Sequence, residues 1–309
     1  MSVTSSRMTP PKGGRMDAGE LLYVPVRAPF SWDHSLRFIC GFPATQGEQE
    51  VVEGRLLKAW RFLDRSVVTQ IGPGSDDSWI EVAIASSGPV TDELRAMVAD
   101  RVTFYLSLDD DLSELAGVAA GDPAFAAVEA RMRGYHQVKF PTPQENIVWA
   151  ILAQRTPLPV ARKAKLRLMH HVNPPVSGFG VELQPFPSLP QLAALSLEDF
   201  AELVGHSRKA GYLFGSVQKL AQVDESFLRA GACDEVERFL LSLPGIGRWS
   251  ATFVMIRGLG RMELLPDDAE LLKAVHRVYG EPPPGDLATL SARYAPNQGY
   301  WAHYLRAVQ

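Results

Sequence analysis

The chain has 309 residues, of which 46% are hydrophobic and 21% charged, an ordinary globular balance with enough length for two domains. No apolar run reaches the ~18–20 residues that a membrane helix needs, and residues 1–20 lack the apolar segment of a secretory signal. The net charge of −4 argues mildly against a nucleic-acid-binding protein, although the acidic excess lies within residues 1–120 and residues 121–309 are slightly basic.

Residues 21–88 are predicted to form a small sheet, after a disordered tail at residues 1–20. Four β-rich segments bounded by turn residues are predicted as strands, at 36–42, 50–60, 65–72 and 78–86. From Thr91 onward, apolar residues recur with helical spacing at Leu94, Val98 and Val102, which predicts a helix over 91–106. The N-terminal α/β domain is therefore expected to span residues 21–118.

From about residue 109 onward the sequence favours helices. The predicted helices span 111–119, 122–134, 142–154, 157–172, 189–194, 196–204, 207–222, 234–242, 248–259, 268–278, 286–293 and 298–308, with a proline-containing loop at 173–190. The predicted fold class is therefore α+β. A small N-terminal antiparallel-sheet domain is followed by a compact all-helical domain at residues 119–309.

The turn Leu243-Pro244-Gly245-Ile246-Gly247 joins two of the predicted helices. Its glycines allow unusual backbone angles and remove side chains where a phosphate group would approach. Amides at the start of the following helix would then point at that phosphate, and Arg248 would add positive charge. The turn alone fits a tight connection between two packed helices equally well.

Two carboxylates, Asp267 and Asp268, follow Pro266 at the start of another predicted helix. An aspartate in this position fits an N-cap, and capping could be the only role of both residues. Alternatively, one aspartate caps the helix and the other projects into the space that the hairpin frames. Such a carboxylate can stabilise a cationic sugar as a base departs, or activate an attacking water. Hairpin and carboxylate together indicate an enzyme that holds nucleic acid by its backbone and acts on one nucleotide.

These segments resemble the helix-hairpin-helix (HhH-GPD) DNA glycosylase superfamily, and are most similar to its 3-methyladenine DNA glycosylase II branch, which repairs alkylated DNA. The resemblance rests on LPGIGRWSA at 243–251, LLPDDAEL at 264–271 and VWAILAQRTPLPVARKAKLRL at 148–168, with a weaker match over 189–213. It covers roughly residues 20–309. It implies a monomeric enzyme of the bacterial cytoplasm, associated with the nucleoid, that acts on damaged bases in double-stranded DNA and has no membrane partner.

The resemblance implies that Asp268 is the catalytic aspartate and that Asp267 is structural. Trp249 stands where family members that also cleave the strand carry a catalytic lysine. Because tryptophan cannot form a Schiff base, a monofunctional hydrolase that leaves an abasic site is implied. Lys209 and Lys273 do not match the position of the catalytic lysine and are predicted to be surface charges.

The family flips its target nucleotide out of the duplex and fills the gap that this leaves. Arg155 stands where an apolar wedge is expected, and a solvated arginine at a helix end is the alternative interpretation. The DNA-binding residues that the resemblance implies are Gln154, Arg155, Gly245, Ile246, Gly247 and Arg248.

Trp249 and Phe253 are four residues apart on one predicted helix and share a face, so they could stack on an electron-poor alkylated base or belong to the helix core. Two positions depart from the alkylation-repair branch. Ala269 replaces an aromatic residue after the catalytic aspartate, and Asn297 stands where a tryptophan is expected. The residues of the last predicted helix that could compensate are Tyr300, Trp301 and Tyr304.

No cofactor is predicted. Cys40 and Cys233 are too few to hold the iron–sulfur cluster of the endonuclease III branch, and they are expected to be free thiols in a reducing compartment. The resemblance implies at most a structural monovalent cation, held by the backbone carbonyls of Leu241, Leu243 and Gly245.

The leading hypothesis is therefore a monofunctional DNA glycosylase that hydrolyses the N-glycosidic bond of damaged, alkylated purines in base-excision repair. A glycosylase for oxidised or deaminated bases is the alternative within the same class. The sequence also leaves open a non-catalytic DNA-damage-binding protein on the same scaffold and a helical interaction module. Asp268 argues against the first of these, and the LPGIG turn argues against the second.

Overall fold

Five antiparallel strands form the first layer of the structure, a computed structural model that describes residues 19–45, 47–62, 64–266 and 268–308. Most of the predicted N-terminal tail lies outside these described residues. The strands are β1 (Glu20–Pro25), β2 (Gln49–Val52), β3 (Arg55–Phe62), β4 (Arg65–Pro73) and β5 (Trp79–Ser86). They lie in the order β1-β5-β4-β3-β2, with Trp60 opposite Val67 and Ile71 opposite Val82.

The strands predicted at 65–72 and 78–86 are confirmed, and the segment predicted as one strand at 50–60 is a hairpin. Glu53 and Gly54 have φ angles of +50° and +74° and turn the chain between β2 and β3. The strand predicted at 36–42 is wrong, because these residues belong to helix α1 (Trp32–Gly41). The Ser31 side chain caps α1 by accepting a hydrogen bond from the His34 amide.

Both faces of the sheet are covered. The predicted helix over 91–106 is confirmed as α2 (Asp92–Leu106), and its buried Leu94, Val98 and Val102 pack in one hydrophobic cluster with the sheet. On the other face, Leu183 packs against the inward side chains of β3 and β4. Leu183 belongs to a short hairpin of β6 (Val176–Gly178) and β7 (Val181–Leu183), in the region predicted as a loop.

The remaining elements in the described part of the chain are helices, which pack in two groups. One group contains α3 (Ser113–Ala119), α4 (Pro123–Met132), α13 (Ala269–Tyr279), α14 (Leu287–Ala292) and α15 (Gln298–Ala307). The other group contains α5 (Pro143–Ala153), α6 (Leu158–Val172), α7 (Leu189–Ala193), α8 (Leu197–Val204), α9 (Ser207–Leu220), α10 (Glu225–Ala230), α11 (Cys233–Ser242) and α12 (Arg248–Leu259). The predicted α+β class is confirmed, with α10 as a helix that the sequence analysis missed.

A buried cluster of four charged side chains ties the sheet to the helices. The Lys165 ammonium on α6 donates to Glu145 on α5 at 2.8 Å and also to Glu48, which immediately precedes β2. Lys58 on β3 lies 3.9 Å from Glu48. All four side chains are almost completely excluded from solvent, so the opposite charges compensate for one another where water cannot.

None of the helices in the described part of the chain has the length and apolar character of a membrane-spanning segment.

Candidate active site

A cavity of about 660 Å³ opens where α1, α12 and α15 approach one another. The segment that leads into α13 closes one side of it. Aromatic side chains from α1 and α12 supply much of its wall, and charged side chains from α12, α13 and α15 supply the rest. The residues that line the cavity include Phe38, Phe42, Trp249, Phe253, Arg257, Asp268, His303 and Arg306. A cavity with an apolar wall and a few convergent polar groups is typical of a small-molecule or nucleobase site.

Asp268 lies on the cavity wall and is held by two hydrogen bonds to its Oδ1 atom. The Leu271 amide donates to it at 3.0 Å, which makes Asp268 the N-cap of α13, and the Arg306 guanidinium donates at 2.5 Å. Partial burial disfavours the charged form, but these two donors outweigh that effect and lower the pKa of the Asp268 carboxyl below its ordinary value. The carboxylate is therefore ionised at neutral pH.

The division of work between the two aspartates differs from the sequence prediction. Asp268 caps the helix as well as facing the cavity, so the predicted catalytic residue also occupies the predicted structural position. Asp267 lies outside the described residues, and its predicted structural role stays a prediction.

The hairpin between α11 and α12 has two glycines with different physical roles. Gly245 has a φ angle of +83°, and a Cβ atom placed there would come within 2.5 Å of the Tyr212 ring. Gly247 is exposed, and a Cβ atom added to it would meet nothing within 4 Å. The first amides of α12 have no intrahelical acceptor, and Gly247, as the N-cap, has no side chain that could accept from them. Ile246 is buried between these glycines, and Arg248 is exposed at the cavity rim.

The end of α5 is attached to the hairpin. The Gln154 side-chain amide donates to the Gly245 carbonyl at 2.6 Å and lies 3.3 Å from the Ser250 hydroxyl. The predicted DNA-binding residue Gln154 is therefore engaged within the protein. Arg155, the next residue, is exposed and has a φ angle of +48°, which an arginine rarely adopts. Gln154 holds this segment against the hairpin, and the role of Arg155 as a wedge stays a prediction.

Lys209 is not the surface charge that the sequence analysis predicted. Its ammonium donates to the carbonyls of Leu152 and Gln154, at 2.5 and 2.9 Å, and to the Thr156 hydroxyl at 2.5 Å. Burial lowers the pKa of the Lys209 amine. The residue therefore caps the carboxyl end of α5 and fixes the segment that carries Arg155. Lys273 is an exposed charge, as predicted, paired with Glu270 at 2.8 Å.

The structure brings the predicted aromatic pair together at the cavity. The rings of Trp249 and Phe253 are parallel within 4°, with centroids 5.6 Å apart. Trp249 is 62% exposed, so the ring face that is turned away from Phe253 is open to a ligand. An indole with one free face can stack on a planar base.

The prediction that Tyr300 and Trp301 line the base pocket is wrong. Both side chains are almost completely buried in the hydrophobic core of the helical group that contains α13 and α15. The Tyr300 hydroxyl donates to Asp110, and the Trp301 indole donates to the Tyr279 hydroxyl at 3.0 Å. Tyr304 is buried in the same cluster. The face of α15 that lines the cavity carries Gly299, His303, Arg306 and Ala307 instead.

Several cavity residues were missed by the sequence analysis. Phe38 and Phe42 stack on each other with centroids 5.0 Å apart, and they were missed because α1 was predicted as a strand. The Arg257 guanidinium lies over both rings, at 4.5 and 5.5 Å from their centroids. Arg257 is two helical turns after Trp249 on the same face of α12, a spacing that the sequence does contain. Arg306 has no such local signal.

The predicted cation ligands take part in hydrogen bonds of the hairpin itself. The Leu243 carbonyl accepts from the Ile246 amide at 3.1 Å, and the Gly245 carbonyl accepts from Gln154. Each oxygen keeps one further lone pair, so a cation together with the Leu241 carbonyl stays a prediction. Cys40 and Cys233 are free thiols.

Curated relatives point to DNA repair. The chain is 27% identical over 290 residues, 92% of its length, to a probable bifunctional transcriptional activator/DNA repair enzyme AlkA of Mycobacterium tuberculosis. It spans 56% of that relative, about half of its length. It is also 24% identical to the DNA-3-methyladenine glycosylase of Bacillus subtilis, covering 79% of this chain and 82% of the relative.

Solved structures show the same fold. A 3-methyladenine DNA glycosylase from Archaeoglobus fulgidus is 20% identical, with a TM-score of 0.73 and coverage of 92% of this chain and 97% of the other. An 8-oxoguanine glycosylase/lyase from Clostridium acetobutylicum bound to DNA is 17% identical, with a TM-score of 0.65 and coverage of 94% and 98%. At these identities the similarity establishes the fold alone.

A sequence match to a family covers the hairpin and part of the cavity wall. Residues 148–293, which contain the hairpin, α12 and Asp268, match the HhH-GPD superfamily of base excision DNA repair proteins.

Proposed function

We propose that this protein is a monofunctional DNA glycosylase that flips a damaged purine, alkylated purines foremost, out of duplex DNA and hydrolyses its N-glycosidic bond. The observation that carries the proposal is the ionised Asp268 carboxylate on the wall of an aromatic cavity that opens beside the hairpin. The names of the Bacillus subtilis and Mycobacterium tuberculosis relatives support the repair of alkylated DNA. Such an enzyme would work on the chromosome in the bacterial cytoplasm.

The hairpin would hold the DNA backbone. Free amides at the start of α12, the open space over Gly247 and the exposed Arg248 together suit a phosphate group. A contact of this kind fixes the position of the duplex without reading its sequence. Arg155 would fill the gap that the flipped nucleotide leaves.

The chemistry would depend on charge. Loss of a purine leaves positive charge on the sugar, and a fixed carboxylate beside it lowers the energy of that state. A general base works best when its pKa lies near the working pH. The pKa of Asp268 is shifted the other way, so electrostatic stabilisation fits the residue better than proton abstraction from water.

The product would be an intact strand with an abasic site. Strand cleavage in this family requires an amine nucleophile, and no lysine is among the described residues that line the cavity. The Lys209 ammonium is engaged with three acceptors at the end of α5, and Lys273 is paired on the surface.

A glycosylase for oxidised or deaminated bases is the second candidate. The observation in its favour is the polar part of the cavity wall, where Arg257 and His303 face the same space as the aromatic rings. A neutral damaged base carries carbonyl groups that such side chains could bind.

The test is release of modified bases from methylated duplex DNA by wild-type protein and by Asp268→Asn. Asparagine is also a good N-cap, so the variant should keep the fold. Loss of one electrostatic group of this kind lowers rates by roughly 10²–10³-fold. Glu270→Gln, which changes an exposed carboxylate on the same helix, is the matched control and should keep full activity. Full activity of Asp268→Asn would overturn the proposed role of Asp268. If the wild type released no damaged base at all, the glycosylase proposal itself would be wrong.

A further inference from the structure

The Arg257 guanidinium is placed on the cavity wall by two aromatic rings instead of by a carboxylate. It lies over Phe38 on α1 and Phe42 immediately after α1, whose rings stack on each other. A cation–π contact with aromatic rings uses no hydrogen-bond acceptor, so it positions the guanidinium while its N–H groups stay available as donors.

The donors of Arg257 have no protein acceptor. Among the described residues its guanidinium makes no hydrogen bond or ion pair, and its Nη2 atom is fully enclosed without a partner. A buried donor without an acceptor is costly, and it commonly marks a place where a ligand completes the arrangement. Burial lowers the pKa of Arg257 to about 10, so the group is still charged at neutral pH.

Among the charged donors on the enclosed part of the cavity wall, Arg257 is the one that no acceptor in the described part of the protein engages, and the Tyr135 and Thr252 hydroxyls line the cavity as well. Arg306 is committed to Asp268. Burial and the nearby arginines lower the pKa of His303 to about 3, so its ring is neutral and offers one N–H donor and one acceptor nitrogen without positive charge. Glu237 and Arg248 also line the cavity, but both are exposed. The enclosed part of the wall therefore presents a positive, hydrogen-bond-donating group beside the rings of Phe38 and Phe42.

We propose that Arg257 is a specificity-determining residue that donates hydrogen bonds to the carbonyl group of the flipped base. This inference rests on the proposed function and names its substrate class, purines with an oxo group at position 6. An oxo group accepts from the guanidinium, as it does when arginine binds guanine. A 6-amino group would turn its own donors toward those of Arg257 and leave both unpaired.

The test compares two lesions of equal charge, 3-methylguanine and 3-methyladenine, in the same methylated duplex. Released bases are separated chromatographically in single-turnover reactions with wild type and with Arg257→Met, which keeps an apolar stem without donors. The wild type should release 3-methylguanine faster. Arg257→Met should lower that rate at least tenfold and change release of 3-methyladenine by less than threefold. Hypoxanthine, a neutral 6-oxopurine, should follow 3-methylguanine.

The ratio of the two rates is measured within one protein sample, so a partly unfolded variant does not distort it. Arg257→Lys, which keeps the charge but lacks the planar fork, should give an intermediate ratio. An unchanged ratio in Arg257→Met, or equal loss on both lesions, would overturn the inference even though the protein is a glycosylase.

A binding experiment separates this inference from the proposed function. Free hypoxanthine and free adenine differ in their 6-substituents, and Trp249 fluorescence reports their entry into the cavity, with Trp249→Phe as the signal control. Wild type should bind hypoxanthine at least tenfold more tightly than adenine, and Arg257→Met should abolish the difference. If wild type released no base from DNA, the proposed function would fail, and this result would still decide the role of Arg257. Equal binding of the two bases would overturn it.

Discussion

Asp268 combines two tasks that usually fall on different residues. It caps α13 through the Leu271 amide, and the same Oδ1 atom is held by Arg306 at the cavity wall. The cap fixes the position of the carboxylate, and the arginine keeps it ionised. A side chain held in this way needs no reorganisation when positive charge develops in front of it.

The pH dependence of the reaction follows from the lowered pKa of Asp268. A carboxyl group with a depressed folded pKa stays ionised as pH falls to its unfolded value of about 3.9, and it loses its contribution only as pH falls through the folded value. The rate of base excision in single-turnover reactions should therefore show no decrease caused by protonation of Asp268 between pH 8 and pH 5. An acid limb near pH 6 that disappears in Asp268→Asn would contradict this expectation.

The reaction type can be tested by chemical trapping. Because Trp249 has no amine and Lys209 donates to three acceptors, borohydride added during the reaction should give no covalent protein–DNA adduct. The measurement is denaturing gel electrophoresis of the labelled damaged duplex, in which a covalent adduct would migrate more slowly. Formation of the abasic product shows that the enzyme has turned over. An adduct in wild type that is lost in Lys209→Met or in Lys273→Met would identify the amine and refute the monofunctional mechanism.

At the scale of the elements, helices with a strong apolar periodicity are predicted correctly, and α1 is not. The residues of 36–42 include Phe38, Ile39 and Cys40, which suit a strand locally. Only the wider window, with buried residues at Trp32, Ser35 and Ile39, shows the helical repeat. The β6–β7 hairpin was missed because prolines around it read as loop. Its turn is made by Phe179 and Gly180, both with positive φ.

The limits of sequence prediction at the cavity have a similar cause. Trp249, Phe253 and Asp268 could be placed because a local motif carries them. The helical pattern of α15 shows its apolar residues but does not tell which neighbour each face meets. Tyr300 and Trp301 therefore belong to the core, and His303 and Arg306 meet a carboxylate and a cavity built by distant segments.

The hairpin allows a substitution that tests DNA binding with little effect on packing. Gly247→Ala adds a methyl group into open space, with a loss of about 1 kcal/mol for a poorer N-cap. We expect binding to damaged and undamaged duplexes to weaken by the same factor, because the contact is to the backbone. Gly117→Ala in α3, where an added Cβ atom also meets nothing, is the matched control. Unchanged affinity for undamaged duplex in Gly247→Ala, measured by fluorescence anisotropy, would show that the hairpin does not hold the DNA.

At the scale of the whole molecule, the buried charges of Glu48, Lys58, Glu145 and Lys165 join the sheet to the helices. Burial, together with the nearby charge of Glu145, raises the pKa of Glu48 to about 7, although the two lysines oppose this shift. At pH values between the ordinary pKa of a glutamate and about 7, Glu48 is therefore protonated in the folded protein and ionised in the unfolded chain. Such a group stabilises the fold most at low pH and loses that contribution as pH rises through its folded pKa.

The stability of wild type should consequently fall between pH 5 and pH 8. Glu48→Gln removes this titrating carboxyl and should flatten the dependence. The measurement is the urea midpoint of unfolding at several pH values in that range, since the midpoint reports the free energy of unfolding. The matched control is Glu50→Gln, which removes a carboxyl group on the exposed side of β2. A Gln49→Glu variant would not serve, because it would add charge to the buried cluster. Parallel pH profiles for wild type and Glu48→Gln would refute the assignment of the proton to Glu48.

The wall of the cavity takes Phe38 from near one end of the described chain and Ala307 from near the other. Bringing such distant segments together carries a large loop-closure entropy, so contacts between them form late and together with the rest of the fold. The binding site is thus a product of global cooperativity. Excision activity should therefore be lost in the same unfolding transition as the tertiary structure. A fragment that kept the hairpin and Asp268 would lack one wall of the cavity.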